Sequence, residues 1–303
     1  IPCYNEEHTI RQVVADFRRT VPSAAVYVYD NNSHDRTKLI AADCGAVVGS
    51  ESMQGKGHVI RRMFADIEAD AYILVDGDDT YDAESAPVML DMLLSENVDM
   101  VVACRTGGDV AAYRRGHRLG NLLLTRAVAF LFGNRFKDIL SGYRVLSRRF
   151  VKSFPVFARG FEIETEITVH ALTLQLPGKE LDSRYRPRPK GSVSKLRTYR
   201  DGFRIIRVIF HLVRDERPLF FFSWVAALLA AASIALGYRV IAEFLRIGLV
   251  PHFPTAILAA ALGILSALSL TCGFVLDTVT RGRRSMAMLA YLATPLRRHT
   301  PAR

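Results

Sequence analysis

The sequence predicts an α/β domain, a mainly parallel sheet with helices on both faces, followed by a C-terminal hairpin of two transmembrane helices. Three observations carry this. Over roughly the first two hundred residues, short apolar runs alternate with segments of helical length, the pattern of repeated strand-then-helix units. Polar clusters stand directly after several of those runs. Beyond Pro218 the chain becomes almost continuously apolar. With 50% hydrophobic and 23% charged residues, a disordered chain is excluded.

The elements follow in order. The chain opens on the tail of a strand at 1–3, then a helix over 7–20, a strand at 25–29 and a helix over 35–43. A short strand at 46–48 precedes a helix over 58–69, and the strand at 71–75 stops at Asp76. A helix over 84–95 leads to a strand at 100–103. The strands are continuous apolar runs, as expected where both sheet faces are covered. After Arg114 the pattern loosens: a helix over 118–132, a loop carrying Ser141-Gly142-Tyr143-Arg144, a helix over 162–174, and a segment at 184–195 rich in Pro, Arg and Lys. Residues 199–213 mix arginines with apolar residues and read as an amphipathic interfacial helix or a helix packed on the soluble domain.

Residues 219–238 and 253–276 carry no charge. At about 1.5 Å per residue, each is long enough to cross the ~30 Å hydrocarbon core. The expected layout is a soluble domain at 1–198, an interfacial helix at 199–217, two spans at about 219–242 and 253–277 within 218–279, and a basic tail at 280–303. Arg204, Arg207, Arg214 and Arg217 precede the hairpin and Arg281, Arg283 and Arg284 follow it, whereas its loop holds Arg239, Glu243 and Arg246. The positive-inside rule then predicts a multi-pass protein of the inner (cytoplasmic) membrane with its soluble domain in the cytoplasm. No secretory signal is expected, and Ile1 in place of Met implies a short preceding piece. The net charge of +10 lies largely beside the spans, which favours an anionic leaflet over nucleic acid. Four cysteines without paired spacing fit reduced thiols, and the eight histidines form no zinc motif. A two-helix hairpin leaves room for homo-oligomeric association.

In open α/β sheets, ligands bind outside the carboxyl ends of the strands. Three clusters fall there: Tyr4-Asn5-Glu6, Asp30-Asn31-Asn32-Ser33 and Asp76-Gly77-Asp78. Two neighbouring carboxylates repel one another, and a divalent cation offsets this while neutralising a diphosphate. An Asp-Gly turn braced by its own side chains is the simpler alternative. Asn5 and Asp35 read as helix caps, while Asn5, Glu6 and Asp30 could equally meet a base or ribose. Gly55-Lys56-Gly57 opens a helix where backbone N–H groups and a lysine can approach phosphate. Neither a Walker loop nor a Gly-x-Gly-x-x-Gly turn is present. Glu162, Glu164 and Glu166 read either as a loop-bracing face or as catalytic acids.

Taken in order, Pro2-Cys3-Tyr4-Asn5-Glu6, Asp30-Asn31-Asn32-Ser33-His34-Asp35, Gly55-Lys56-Gly57 and Asp76-Gly77-Asp78-Asp79-Thr80 resemble family 2 glycosyltransferases of the GT-A, Rossmann-like fold. Within them the chain is similar to the dolichyl- or polyprenyl-phosphate sugar synthases over about residues 1–200. The resemblance implies a nucleotide-diphosphate-sugar donor, a Mg²⁺ or Mn²⁺ ion, and inverting transfer to polyprenyl phosphate, supplying lipid-linked sugar for glycan assembly. It implies that Pro2, Tyr4, Asn5, Glu6, Asp30 and Lys56 line the donor pocket, and that Asp76 and Asp78 hold metal and donor, Asp78 with a catalytic role. Ser141, Arg144, Arg118 and Lys195 would meet the acceptor phosphate, Arg144 catalytically; a structural salt bridge is the alternative for Arg144. Many members carry Asp-Ala-Asp-Leu-Gln where this chain has Asp-Gly-Asp-Asp-Thr, so Thr80 and Tyr81 present different groups there.

A processive polysaccharide synthase would carry a Gln-x-x-Arg-Trp motif, but the lone Trp224 lies within a span. A noncatalytic nucleotide-binding scaffold is disfavoured by the intact Asp76 and Asp78.

Overall fold

The computed structural model describes residues 1–106, 115–133, 135–160, 162–189 and 198–295, with the backbone alone at 115–123 and 198–206. The chain divides into two units. One comprises Ile1–Ile205 with Met286–Arg303, the other Ile206–Ser285.

In the first unit, β1 (Pro2–Cys3), β2 (Tyr27–Asp30) and β3 (Val47–Ser50) pair in parallel in that order. Their crossovers are α1 (Ile10–Thr20) and α2 (Thr37–Asp43), and α3 (Lys56–Asp66) follows. On α1 the residues Ile10, Val13, Val14 and Phe17 recur at helical spacing and are buried, so this face is what holds the helix to the sheet. A second sheet has the order β4-β6-β5-β7, formed by β4 (Ala71–Leu74), β5 (Met100–Thr106), β6 (Arg144–Ser147) and β7 (Gly178–Arg184). Helices α4 (Ser85–Ser95), α5 (Arg115–Phe132), α6 (Arg148–Ser153) and α7 (Ile163–Thr173) complete the unit. One apolar core, including Val14, Val28, Met89, Val101 and Val145, is shared by both sheets. The Thr9 hydroxyl donates to the Gly77 carbonyl at 2.7 Å, tying the start of α1 to the chain just after β4.

The sheet is less parallel than the sequence predicts. β6 runs antiparallel to both β4 and β5, and its first residue, Arg144, ends the stretch expected to be a loop. Only Val145 and Leu146 stand between Arg144 and Ser147, too short a run to register as a strand. β7, with the sequence Gly-Lys-Glu-Leu-Asp-Ser-Arg, pairs in parallel with β5 and escapes sequence reading because it is polar. The first helix begins at Ile10, later than expected, because Asn5 takes a left-handed φ of 53° and the Glu6 carbonyl accepts the Thr9 and Ile10 N–H groups in a turn.

The second unit contains the end of α8 (Thr198–Glu216), then α9 (Pro218–Ile247) and much of α10 (Phe253–Ala293). The last two are long and apolar enough to cross a membrane, and the most apolar windows are only 6% and 11% buried. Core helices of a soluble protein would be mostly enclosed. The two helices run antiparallel: Ser233 donates to the Ala259 carbonyl, Ser266 to Ala226 and Ser269 to Phe222, at 2.7, 2.9 and 3.3 Å. Small residues at these positions permit the close approach. At the hairpin base, Glu216 accepts from Arg283 and Arg284.

Candidate active site

All three polar clusters converge. A cleft of about 420 Å³ is lined by Pro2 in β1 and Tyr4 and Glu6 after it, by Asn31 after β2, by Lys56 at the start of α3, and by Asp76 and Asp78 after β4. β1 and β2 end side by side in parallel, and the Thr9 hydrogen bond to the Gly77 carbonyl brings the loop after β4 to them.

The loops after β1 and β2 brace each other. Asn5 donates its N–H to Ser33 Oγ at 2.9 Å and accepts the His34 N–H on Oδ1 at 2.8 Å. Asn5 is therefore a clasp between loops rather than a helix cap or a cleft residue. The Glu6 N–H donates to Thr37 Oγ1 at 2.8 Å, and Asp35 accepts the N–H groups of Thr37 and Glu7. The N-cap position of α2 is Arg36, so Asp35, one residue earlier, ties the start of α2 to the loop after β1 and is not the cap expected from sequence. Asn31 is pinned by the carbonyls of Glu51 and Met53 and by the Gly55 N–H, fixing the cleft wall after β3. Asp30 accepts the Ser33 N–H on Oδ2, while its Oδ1 is buried with no partner among the described residues. Asp30 is not among the residues that line the cleft.

Asp76 and Asp78 differ in their support. Lys56 Nζ lies 2.5 Å from Asp76 Oδ1 and 2.5 Å from Glu164 Oε1, one ammonium shared by two carboxylates. Burial opposes the ammonium charge, but Asp76 and Glu164 outweigh it and hold the Lys56 pKa above the ordinary lysine value. Burial pushes Glu164 upward, against the pull of Lys56. On Asp78, Oδ1 accepts the Thr80 hydroxyl at 2.6 Å and Oδ2 meets Arg188 Nη2 at 2.6 Å. Thr80, at the position where the family pattern breaks, is buried and holds Asp78.

Other predicted residues stand elsewhere. Arg144 and Ser141 are both 0% exposed. The Arg144 guanidinium donates to the carbonyls of Ile139 and Ser141 and to Thr168 Oγ1, at 2.7, 2.9 and 2.9 Å. Burial lowers its pKa to about 10, still far above neutrality. With its donors committed to carbonyls in the core, Arg144 is a brace for β6 and does not reach an acceptor. Neither is it the salt bridge weighed as the alternative. Ser141 Oγ accepts the Tyr143 N–H within the same turn. Gly142 instead passes beneath Asp76, where a Cβ would collide with the carboxylate. Lys195 and the Arg118 side chain lie outside the described residues. Gly55 and Lys56 line the cleft. A Cβ on Gly55 or Gly57 would strike the carbonyl oxygen of Arg159 or Ala158, so both serve close packing of the loop before α7.

Sequence reading missed Arg159 and Arg188, which line the cleft, and left Glu164 undecided. The Pro187-Arg188-Pro189 stretch was a usable signal, since flanking prolines hold the arginine in extended chain.

Residues 1–154 match the model of glycosyl transferase family 2, and the chain belongs to that family. It is a glycosyltransferase. It is 36% identical over 271 residues to glycosyltransferase AglJ of Haloferax volcanii, covering 89% of this chain and 88% of that one. A dolichyl-phosphate hexose transferase of the same organism is 28% identical over 214 residues, 71% of this chain and 92% of the relative. Among solved structures, glucosyl-3-phosphoglycerate synthase of Mycobacterium tuberculosis, in complex with Mn²⁺, UDP and phosphoglyceric acid, superposes with a TM-score of 0.57 at 23% identity, covering 70% of this chain and 75% of that one. The fold is GT-A.

The residues fit a divalent cation. Asp76 and Asp78 both line the cleft, and each already carries a cationic partner there. No group of three or more His, Cys, Asp or Glu side chains placed to hold a metal ion by themselves exists among the described residues. Two carboxylates completed by diphosphate oxygens and water suit a hard ion of the Mg²⁺ or Mn²⁺ type.

Proposed function

We propose that this glycosyltransferase transfers a hexosyl group, with inversion, from a nucleotide-diphosphate-sugar to a polyprenyl phosphate at the cytoplasmic face of the inner membrane. The observation that carries the reading is one chain holding both the acid-lined GT-A cleft and a hairpin of exposed apolar helices. The likeness to a dolichyl-phosphate hexose transferase supports a lipid-phosphate acceptor. So does topology. Residues from Met286 onward belong with the catalytic unit, where the Tyr291 hydroxyl donates to Asp99 at 2.9 Å and Arg149 donates to the Thr294 carbonyl at 3.0 Å. A chain that leaves the catalytic unit and returns to it crosses a bilayer an even number of times, and the flanking arginines favour the cytoplasmic side.

In this reading Pro2, Tyr4 and Glu6 surround the nucleoside, and Asp76 and Asp78 hold a divalent cation against the diphosphate. The bound ion supplies Lewis-acid neutralisation of the leaving group. Lys56 positions Asp76, and Thr80 and Arg188 position Asp78. An acceptor phosphate is already anionic, so no side chain has to remove a proton. Its oxygen forms the new bond to the anomeric carbon while the bond to the diphosphate breaks, and the electron pair leaves with the nucleoside diphosphate. Arg118 and Lys195 remain proposed acceptor contacts.

The test is a panel of nucleotide-sugars supplied with polyprenyl phosphate to the purified chain in membranes, with products identified by mass. A glycosyl-phosphoryl lipid is expected for at least one donor, lost in Asp78→Ala along with cation-dependent donor binding. Absence of any lipid-linked product across the panel rejects the assignment.

A further inference from the structure

Three cations, Lys56, Arg159 and Arg188, line the cleft among the described residues. Lys56 is shared between Asp76 and Glu164, and Arg188 is paired with Asp78. Arg159 differs: its side chain is exposed and has no hydrogen bond or ion pair among the described residues.

The backbone that carries Arg159 is nevertheless firmly held. Glu166 accepts the N–H groups of Phe157 and Ala158 at 3.1 and 2.8 Å. Glu162 accepts those of Arg159 and Gly160 at 3.3 and 3.1 Å. Four consecutive N–H groups are thus clamped by two carboxylates one helical turn apart. On the other side, the carbonyls of Ala158 and Arg159 press against Gly57 and Gly55, which have no Cβ to keep them off. The loop is thus fixed at many points, while its arginine side chain has no partner among the described residues.

We infer that Arg159 binds the phosphate of the acceptor, a phosphomonoester carried on a lipid. The inference rests on the acceptor reading above. An in-line displacement brings the attacking oxygen to the anomeric carbon from the side opposite the diphosphate, so the acceptor cannot share the cations that serve the leaving group. The cleft's other two cations, Lys56 and Arg188, are already committed to Asp76, Glu164 and Asp78, so an anion entering there needs a further one. A guanidinium without a carboxylate partner answers both needs, and its planar fork matches phosphate oxygens. Arg144, predicted for this task, is sealed in the core. Phe157, two residues earlier on the same loop, is 66% exposed and offers the apolar contact that an isoprenoid chain, but not a soluble phosphomonoester, would use.

The experiment uses the full chain in lipid nanodiscs with a short-chain polyprenyl phosphate, and measures acceptor KM, donor KM and nucleoside-diphosphate binding by calorimetry. Arg159→Ala should raise acceptor KM about tenfold or more, leave nucleotide binding within about twofold, and be partly rescued by Arg159→Lys. Phe157→Ala should weaken polyprenyl phosphate but not a water-soluble phosphomonoester of similar headgroup. Intact nucleotide binding also reports that each variant is folded. An unchanged acceptor KM in Arg159→Ala, or an equal loss of nucleotide binding, overturns the inference. A wild-type chain inert toward polyprenyl phosphate overturns the acceptor reading itself, before any variant is made.

Discussion

Lys56 shares one ammonium between two carboxylates, so with both ionised the group formed with Asp76 and Glu164 carries one net negative charge. Glu164→Gln should leave Lys56 committed to Asp76 alone and the group neutral. Divalent cation affinity is then expected to fall about tenfold, roughly 1.4 kcal/mol, as read by Mn²⁺ titration without turnover; unaltered affinity would remove Glu164 from the cation's surroundings. A second buried ionisable group has a pH signature. His170 packs between Phe150 and Phe154, and burial lowers its pKa from 6.5 to about 4. Between those values the unfolded chain binds more protons, so stability rises with pH through the window. It is complete above about pH 6.5 and lost as pH falls toward 4, with about 3 kcal/mol at stake. His170→Gln should flatten that acid limb in thermal melts from pH 7 to 4.

At the scale of elements, the start of α3 and the loop before α7 form one packed surface, and Gly57 is where they touch. Gly57→Ala should force the loop away, costing about 1–3 kcal/mol of stability and loosening Arg159 at the cleft. Lower melting temperature together with raised acceptor KM is the expected result; a neutral substitution would mean that the loop moves freely. The same elements mark how far sequence reading extends. Asp76 and Asp78 are legible because an apolar run ends at them. β6 and β7 are not, since Arg-Val-Leu-Ser is too short and Gly-Lys-Glu-Leu-Asp-Ser-Arg too polar to betray strands that pairing with β5 creates.

At the scale of the molecule, the segment after the hairpin is part of the catalytic unit. The Tyr291 hydroxyl reaches Asp99, which also accepts from Ser147 Oγ at 2.6 Å, and the Arg149 guanidinium lies 5.6 Å from the Tyr291 ring centre. Tyr291→Phe leaves Asp99 one donor short and should destabilise the catalytic unit by about 1.5–3 kcal/mol, seen in denaturant titration of the detergent-solubilised chain. No change in midpoint would show that the tail contributes no stability there.

The strand–helix alternation, the acidic strand end and the two apolar helices are legible in the amino-acid sequence, because each is written in local runs and periods. Tertiary structure decided which charges are available. Glu164 meets Lys56 across 108 residues of chain. Arg144 and Arg159 are the same residue type, each near an apolar stretch, yet one is sealed in the core and the other lines the cleft with no side-chain partner among the described residues. Burial and partnership arise from packing between distant segments, and no local pattern encodes them.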